Sequence, residues 1–127
     1  MRKIMLVDDE QDQIFGIKTA LEEMYGDEYQ IIPAEDGKTC IKLLEEDADP
    51  DLILLDIMMP EMSGWEVYDK VRDNPAWQDI PIVFLTARTD RIAENAGEFL
   101  GDDYIEKPVD VKELRQRIER LLEKMNK

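Results

Sequence analysis

Five short apolar runs, each the length of a strand, alternate along this chain with patterns of helical period, and few architectures accommodate that alternation. The runs are Ile4–Val7, Tyr29–Ile32, Leu52–Leu55, Ile82–Leu85 and Asp103–Ile105. Between them the spacing predicts a first helix from about Asp12 to Tyr25, with Ile14, Ile17, Leu21 and Met24 on one face. A second helical pattern follows Gly37 with Ile41, Leu44 and Ala48; a third follows Ser63 with Val67, Tyr68 and Val71; a weaker fourth has Ile92, Ala96 and Phe99. The last is the cleanest: Val111, Leu114, Ile118, Leu121, Leu122 and Met125 form one stripe, and Asp110 stands ahead of it as an N-cap. Strand–helix alternation of this kind implies right-handed crossovers and a parallel sheet covered on both faces, with the all-apolar runs at 52–55 and 82–85 as its central strands.

The composition fits one such domain. A chain of 127 residues, 43% hydrophobic, has enough apolar material to fold around a single core without disulfides or metal staples. No internal repeat, low-complexity tract or linker divides it, so the expectation is a single domain over residues 1–127. The 16 basic and 31 acidic residues repel phosphate backbones and anionic lipid, which disfavours direct contact with nucleic acid or a membrane surface. One cysteine, Cys40, and no leader or long apolar stretch point to a reducing cytoplasm. The absence of histidine excludes imidazole metal ligands, a Ser-His-Asp triad and phosphohistidine within this chain. The charge is also uneven: residues 107–127 hold seven basic and four acidic residues, and the first 106 hold nine basic and 27 acidic.

Ligands of an open parallel sheet bind beyond the carboxyl ends of its strands. Here the first run is followed by Asp8, Asp9 and Glu10, the third by Asp56, the fourth by Thr86 and Ala87, and the fifth, a residue on, by Lys107 and Pro108. Clustered carboxylates raise one another's pKa unless a cation intervenes, and a site of hard oxygens without imidazole or thiolate suits Mg²⁺. Mg²⁺ is commonly completed by phosphate oxygens, so the pocket is prepared for a phosphoryl group, with Lys107 offsetting its charge and Thr86 donating a hydrogen bond. Aspartate can itself accept phosphate covalently. Asp56, alone at the end of a central strand, is the best placed nucleophile, and the pair Asp8 and Asp9 reads as metal ligands.

These residues carry a resemblance. Ile-Met-Leu-Val-Asp-Asp-Glu at 4–10, Leu-Ile-Leu-Leu-Asp-Ile-Met-Met-Pro-Glu-Met-Ser-Gly at 52–64, Phe-Leu-Thr-Ala at 84–87 and Asp-Asp-Tyr-Ile-Glu-Lys-Pro at 102–108 resemble the receiver domain of two-component response regulators, over essentially all of Lys3 to Leu122. The resemblance implies a flavodoxin-like α/β fold, a doubly wound five-stranded sheet of order 2-1-3-4-5 with five helices. It implies a stand-alone receiver, with no output domain, that takes a phosphoryl group from the phosphohistidine of a histidine kinase onto Asp56. Such a protein catalyses its own phosphorylation and dephosphorylation without being a conventional turnover enzyme. Asp8, Asp9, Asp56 and the main-chain carbonyl of Met58 would hold Mg²⁺, and Lys107, aimed by a cis Lys-Pro peptide, would neutralise the phosphoryl oxygens. Pro60 and Gly64 would shape the turn leaving the site, and Ser63 would cap the third helix.

The output implied is a switch in which Thr86 moves toward the phosphate and Tyr104 turns inward. That changes the face of the fourth helix, last strand and last helix, for a downstream protein target or a phosphotransfer protein. The unphosphorylated chain is expected to be a monomer. On that face Lys112, Arg115, Arg117, Arg120 and Lys124 are available to an acidic partner, although Glu113 and Arg117 read first as a surface i,i+4 pair. Leu100 and Gly101 depart from the family's usual Gly-Ala. Met58 and Arg88, which flank the site, would hinder an attacking water, with partner contact as the plainer role for Met58; Trp65 and Trp77 read as anchors. Two other folds fail on these residues: a haloacid-dehalogenase phosphatase needs Asp-x-Asp after its first strand, and a flavodoxin-type carrier needs a glycine- and hydroxyl-rich loop there. A phosphate relay to another histidine and a phosphorylation-independent interaction module stay open as alternatives.

Overall fold

The computed structural model describes residues 1–86 and 103–125. Five parallel strands, β1 (Arg2–Val7), β2 (Tyr29–Ala34), β3 (Leu52–Asp56), β4 (Ile82–Thr86) and β5 (Asp103–Glu106), form one sheet of order β2-β1-β3-β4-β5. Four helices are described: α1 (Gln11–Tyr25), α2 (Gly37–Glu45), α3 (Gly64–Asp73) and α4 (Val111–Met125). The flavodoxin-like order expected from the sequence is the order found. The fourth helical pattern, with Ile92, Ala96 and Phe99, lies outside the described residues.

Side chains alternate across each strand, so the sheet builds two cores. On one face Ile4, Leu6, Leu54 and Leu85 meet Ile14, Ile17 and Leu21 of α1 and Leu114, Ile118 and Leu122 of α4. On the other, Met5, Val7, Leu55 and Phe84 meet Cys40 and Leu44 of α2 and Val67 and Val71 of α3. Both faces being covered, β3 is buried along its whole length, which is why its sequence is apolar without interruption until Asp56. Trp65 lies 4.6 Å from the Phe84 ring, centroid to centroid, and with Trp77 packs onto the second core as an anchor.

Three local details differ from the sequence expectation. Met24 is exposed, because it sits at the edge of the α1 stripe and Tyr25, one position on, takes the contact with the core. Ala48 falls outside α2: Asp47 adopts a left-handed backbone (φ 65°), and the Asp47 and Ala48 amides donate to the carbonyls of Leu44 and Leu43, closing the helix in a Schellman arrangement. Cys40 occupies the buried position on that helix instead. β2 runs two residues further than its apolar run; Pro33 is tolerated there because β2 is an edge strand.

The helix starts behave as their capping residues require. Asp36 accepts from the Thr39 amide, Ser63 from the Glu66 amide, and Asp110 from the Lys112 amide. Gly64 opens α3 directly behind β3: its amide donates to the Ile57 carbonyl at 2.8 Å, and a Cβ at this position would stand 2.5 Å from the Asp56 carbonyl oxygen. Gly64→Ala therefore pushes helix and strand apart. Denaturant titration is expected to show a loss of roughly 1–3 kcal/mol, and a variant as stable as the wild type would refute this account of the junction.

Candidate functional site

The strand order brings the carboxyl ends of β1, β3 and β5 to one rim. Asp8 follows β1 directly and is fully buried; its amide donates to the Ala34 carbonyl and its Oδ1 accepts from the Glu10 amide, so its second oxygen, Oδ2, is the one turned to other partners. Asp56 closes β3 and is 5% exposed. Lys107, just beyond β5, precedes a cis peptide to Pro108. Its Nζ stands 3.2 Å from Asp8 Oδ2 and 3.4 Å from Asp56 Oδ1. Residues 8, 56 and 107 thus meet through one ammonium, as the sequence predicts for the site.

One cation does not balance this pocket. Burial raises the Asp56 carboxyl, the charges of Asp8 and Asp9 raise it further, and Lys107 opposes them, leaving it pushed up to about 7. Burial works to lower the Lys107 ammonium, but Asp56 and Asp8 outweigh it and hold it above the ordinary lysine value. Asp9 and Glu10 are exposed on the same rim, and carboxylate oxygens of Asp8, Asp9 and Glu10 lie within 4.8 Å of one another. That donor set, all oxygen and in excess of the available positive charge, fits a hard divalent cation such as Mg²⁺. The group of three includes Glu10, which stands beside the acidic pair in the sequence but was not expected as a ligand. Asp56 joins the pocket through Lys107.

The loop from β3 to α3 borders the site. The Met62 amide donates to the Pro60 carbonyl at 2.7 Å, and Glu61 between them has a left-handed backbone (φ 66°). Sequence reading placed the turn at Pro60 and Gly64 but missed Glu61, since a glutamate gives no signal for that conformation. The Met58 side chain is 65% exposed at the rim. Thr86 ends β4 in register with Glu106 of β5; its hydroxyl, Arg88, Leu100 and Gly101 lie outside the described residues. Tyr104, on β5, is half-buried against the second core. Arg117 forms the expected pair with Glu113 and in addition donates to Asp103 at 2.8 Å and to the Tyr104 carbonyl at 3.0 Å. Arg115 pairs with Glu28 across to the start of β2 and lies over the Tyr25 ring, so these two basic residues of α4 are engaged within the molecule.

The raised Asp56 pKa has a stability consequence in metal-free protein. The folded state holds that proton up to about pH 7 while the unfolded chain releases it near 3.8, so stability falls as pH rises between those values and levels off above 7. Asn cannot ionise. In EDTA, Asp56→Asn is expected to unfold at a higher temperature than the wild type at pH 8, by about 3 °C or more, with the gap narrowing steadily toward pH 5. Parallel melting curves across that range would contradict the assignment.

Comparisons with known proteins point the same way. Residues 4–119 match the family model described as response regulator receiver domain. The chain is 39% identical over 128 residues to the response regulator SaeR of Staphylococcus epidermidis, covering all of this chain and 53% of that protein. It is 39% identical over 121 residues to a histidine kinase of Formosa agariphila, covering 94% of this chain and 8% of the kinase. The chain therefore spans about half or less of these curated relatives. Among solved structures, the signal receiver domain of a histidine kinase from Syntrophus aciditrophicus superposes with a TM-score of 0.84 at 31% identity, covering 97% of this chain and 91% of that one. A response regulator receiver domain protein from Methanospirillum hungatei gives 0.81 at 32%, covering 98% and 96%.

Proposed function

The chain belongs to the response regulator receiver domain family, and on that premise we propose that it accepts a phosphoryl group on Asp56 from the phosphohistidine of a histidine kinase. The observation that supports this most directly is the half-buried Lys107 ammonium shared by Asp8 and Asp56. A carboxylate oxygen of Asp56 attacks phosphorus; the new P–O bond forms as the P–N bond to the kinase imidazole breaks, and the imidazole leaves with its electron pair. Asp56 must be ionised to do this, and Lys107 favours that form. Lys107 is also placed to bind an equatorial phosphoryl oxygen, which supplies electrostatic stabilisation where charge spreads during transfer. Asp8, Asp9 and Glu10, with Asp56 and the Met58 carbonyl completing the set, would hold Mg²⁺. Bound there, the ion would neutralise further charge on the phosphoryl oxygens.

A cleft of about 380 Å³ lies beside Glu10 of the acidic rim, between Gln13 and Gly16 of α1 and Pro108 at the entry to α4. Thr86 and Tyr104 carry the change outward as a two-state switch of the β5 and α4 face. The consumer of that face is a protein target, or a phosphotransfer protein if the chain serves in a relay. Among the described residues no helix is long and apolar enough to cross a membrane; the reducing cytoplasm where kinases of this class act is the proposed compartment.

Incubation with acetyl phosphate and Mg²⁺ followed by intact-mass spectrometry is expected to show one phosphoryl adduct, labile to hydroxylamine, absent in Asp56→Asn and absent with EDTA. An adduct that survives in Asp56→Asn would overturn the assignment, and no adduct in the wild type would favour an interaction module that keeps the site without using it. Met58 and Arg88 are proposed to shield the phosphoryl group from water. Replacing both with small polar residues should shorten the lifetime of the adduct several-fold, measured by its decay after the donor is removed; an unchanged lifetime removes the shielding role.

A further inference from the structure

The pole opposite Asp56, at the amino-terminal ends of β3 and β4, carries two adjoining depressions of about 330 Å³ and 250 Å³ that share Ala76 and Ile80. They lie between the loop that follows α2 and the loop that leads into β4. Leu44, Trp77 and Ile80 give the larger one an apolar wall; Leu44 is buried, and Trp77 and Ile80 are half-buried with part of their surface open to solvent. The rim is of one sign. Asp47 and Asp49 line the larger depression and Asp51 and Asp79 the smaller, all four exposed, and no Lys or Arg lines either one among the described residues. The Asp51 carboxylate accepts from the Lys3 amide, whereas those of Asp47, Asp49 and Asp79 have no hydrogen bond or ion pair among the described residues. Arg72, on the α3 side of this loop, directs its guanidinium at the Gln78 and Ile80 carbonyls, which holds the loop in place.

An apolar wall under an acidic rim lined by no Lys or Arg among the described residues defines its ligand by complementarity. We propose that this groove docks a short segment of another protein in which aliphatic residues are flanked by Lys or Arg. The aliphatic side chains cover Trp77 and Ile80, and the flanking cations meet Asp47, Asp49 and Asp79. The site is separate from the phosphoacceptor pocket by its position in the fold, and the inference does not depend on the phosphoryl chemistry.

The test uses the whole chain and the peptide acetyl-Lys-Lys-Leu-Leu-Lys-Lys-amide, followed by calorimetry and by the indole N–H resonances of Trp77 and Trp65, the only two tryptophans. The expected result is saturable binding that shifts the Trp77 resonance, leaves Trp65 in place and weakens with salt. Two variants should each weaken it tenfold or more. The first is Asp47→Asn with Asp49→Asn and Asp79→Asn, chosen because Asp47 and Asp49 have left-handed backbones that Asn accepts. The second is Ala76→Arg, which places a bulky cation where the depressions join. The triple variant keeps a large negative net charge, so diffuse attraction survives in it. Hexalysine binding as tightly as the leucine peptide would overturn the proposal, as would unchanged binding in both variants or a Trp77 resonance that does not move up to millimolar peptide. Thermal melts of both variants at wild-type temperature establish that a loss of binding is a loss of the groove.

Discussion

Everything at the working end of this molecule depends on one half-buried ammonium. Asp8 and Asp56 lie on adjacent strands of a parallel sheet, and the parallel arrangement delivers both carboxyl ends to the same rim. Two buried carboxylates there are unfavourable in free energy, since each loses water and each feels the other. Lys107, delivered by the end of β5 at the far edge of the sheet, reaches both with one Nζ. The compensation is incomplete: Asp56 stays high, at about 7, even with Lys107 beside it. A metal-free pocket whose Asp56 is only part-ionised at neutral pH has affinity for further positive charge, and the oxygen atoms of Asp8, Asp9 and Glu10 are the place for it. The fold stabilises the site only in part, and the unmet charge is what makes it chemically useful.

The same logic separates what the sequence could reveal from what it could not. Strand interiors and buried helix faces were legible because burial acts on side-chain type: the unbroken Leu52–Leu55 run and the Leu114, Ile118, Leu122 stripe have one arrangement that hides them. Asp8, Asp56 and Lys107 were legible because a charged residue directly after an apolar strand has few bland explanations when several strands share the feature. Caps were legible too, since Ser63, Asp36 and Asp110 satisfy amides by local geometry alone. Backbone conformations at non-glycine residues were not: Asp47, Asp49 and Glu61 adopt left-handed angles that tertiary contacts impose and residue identity does not announce. Pairings at long sequence separation were equally hidden. Arg117 was read as a partner of Glu113, which it is, but its contacts with Asp103 and the Tyr104 carbonyl depend on where α4 crosses β5.

That last point bears on how a change at Asp56 would travel. Arg115 and Glu119 fix α4 to the β1 and β2 side of the sheet: the Tyr29 hydroxyl donates to Glu119 at 2.6 Å, Arg2 pairs with Glu119, and Arg115 reaches Glu28. Burial and the Glu119 carboxylate hold the Tyr29 hydroxyl protonated well beyond the ordinary tyrosine range, so this attachment does not loosen with ordinary changes of pH. Between those two residues Arg117 ties α4 instead to β5, beside the half-buried Tyr104 and the strand that leads into Lys107. One stretch of helix, 115–119, thus contacts both the β1 and β2 side of the sheet and the strand that serves the reactive pocket. In the proposed switch, a charge on Asp56 would reach the surface through β5 and Arg117, while the interlocked contacts of Tyr29, Glu119, Arg2 and Arg115 hold the same helix to the β1 and β2 side of the sheet.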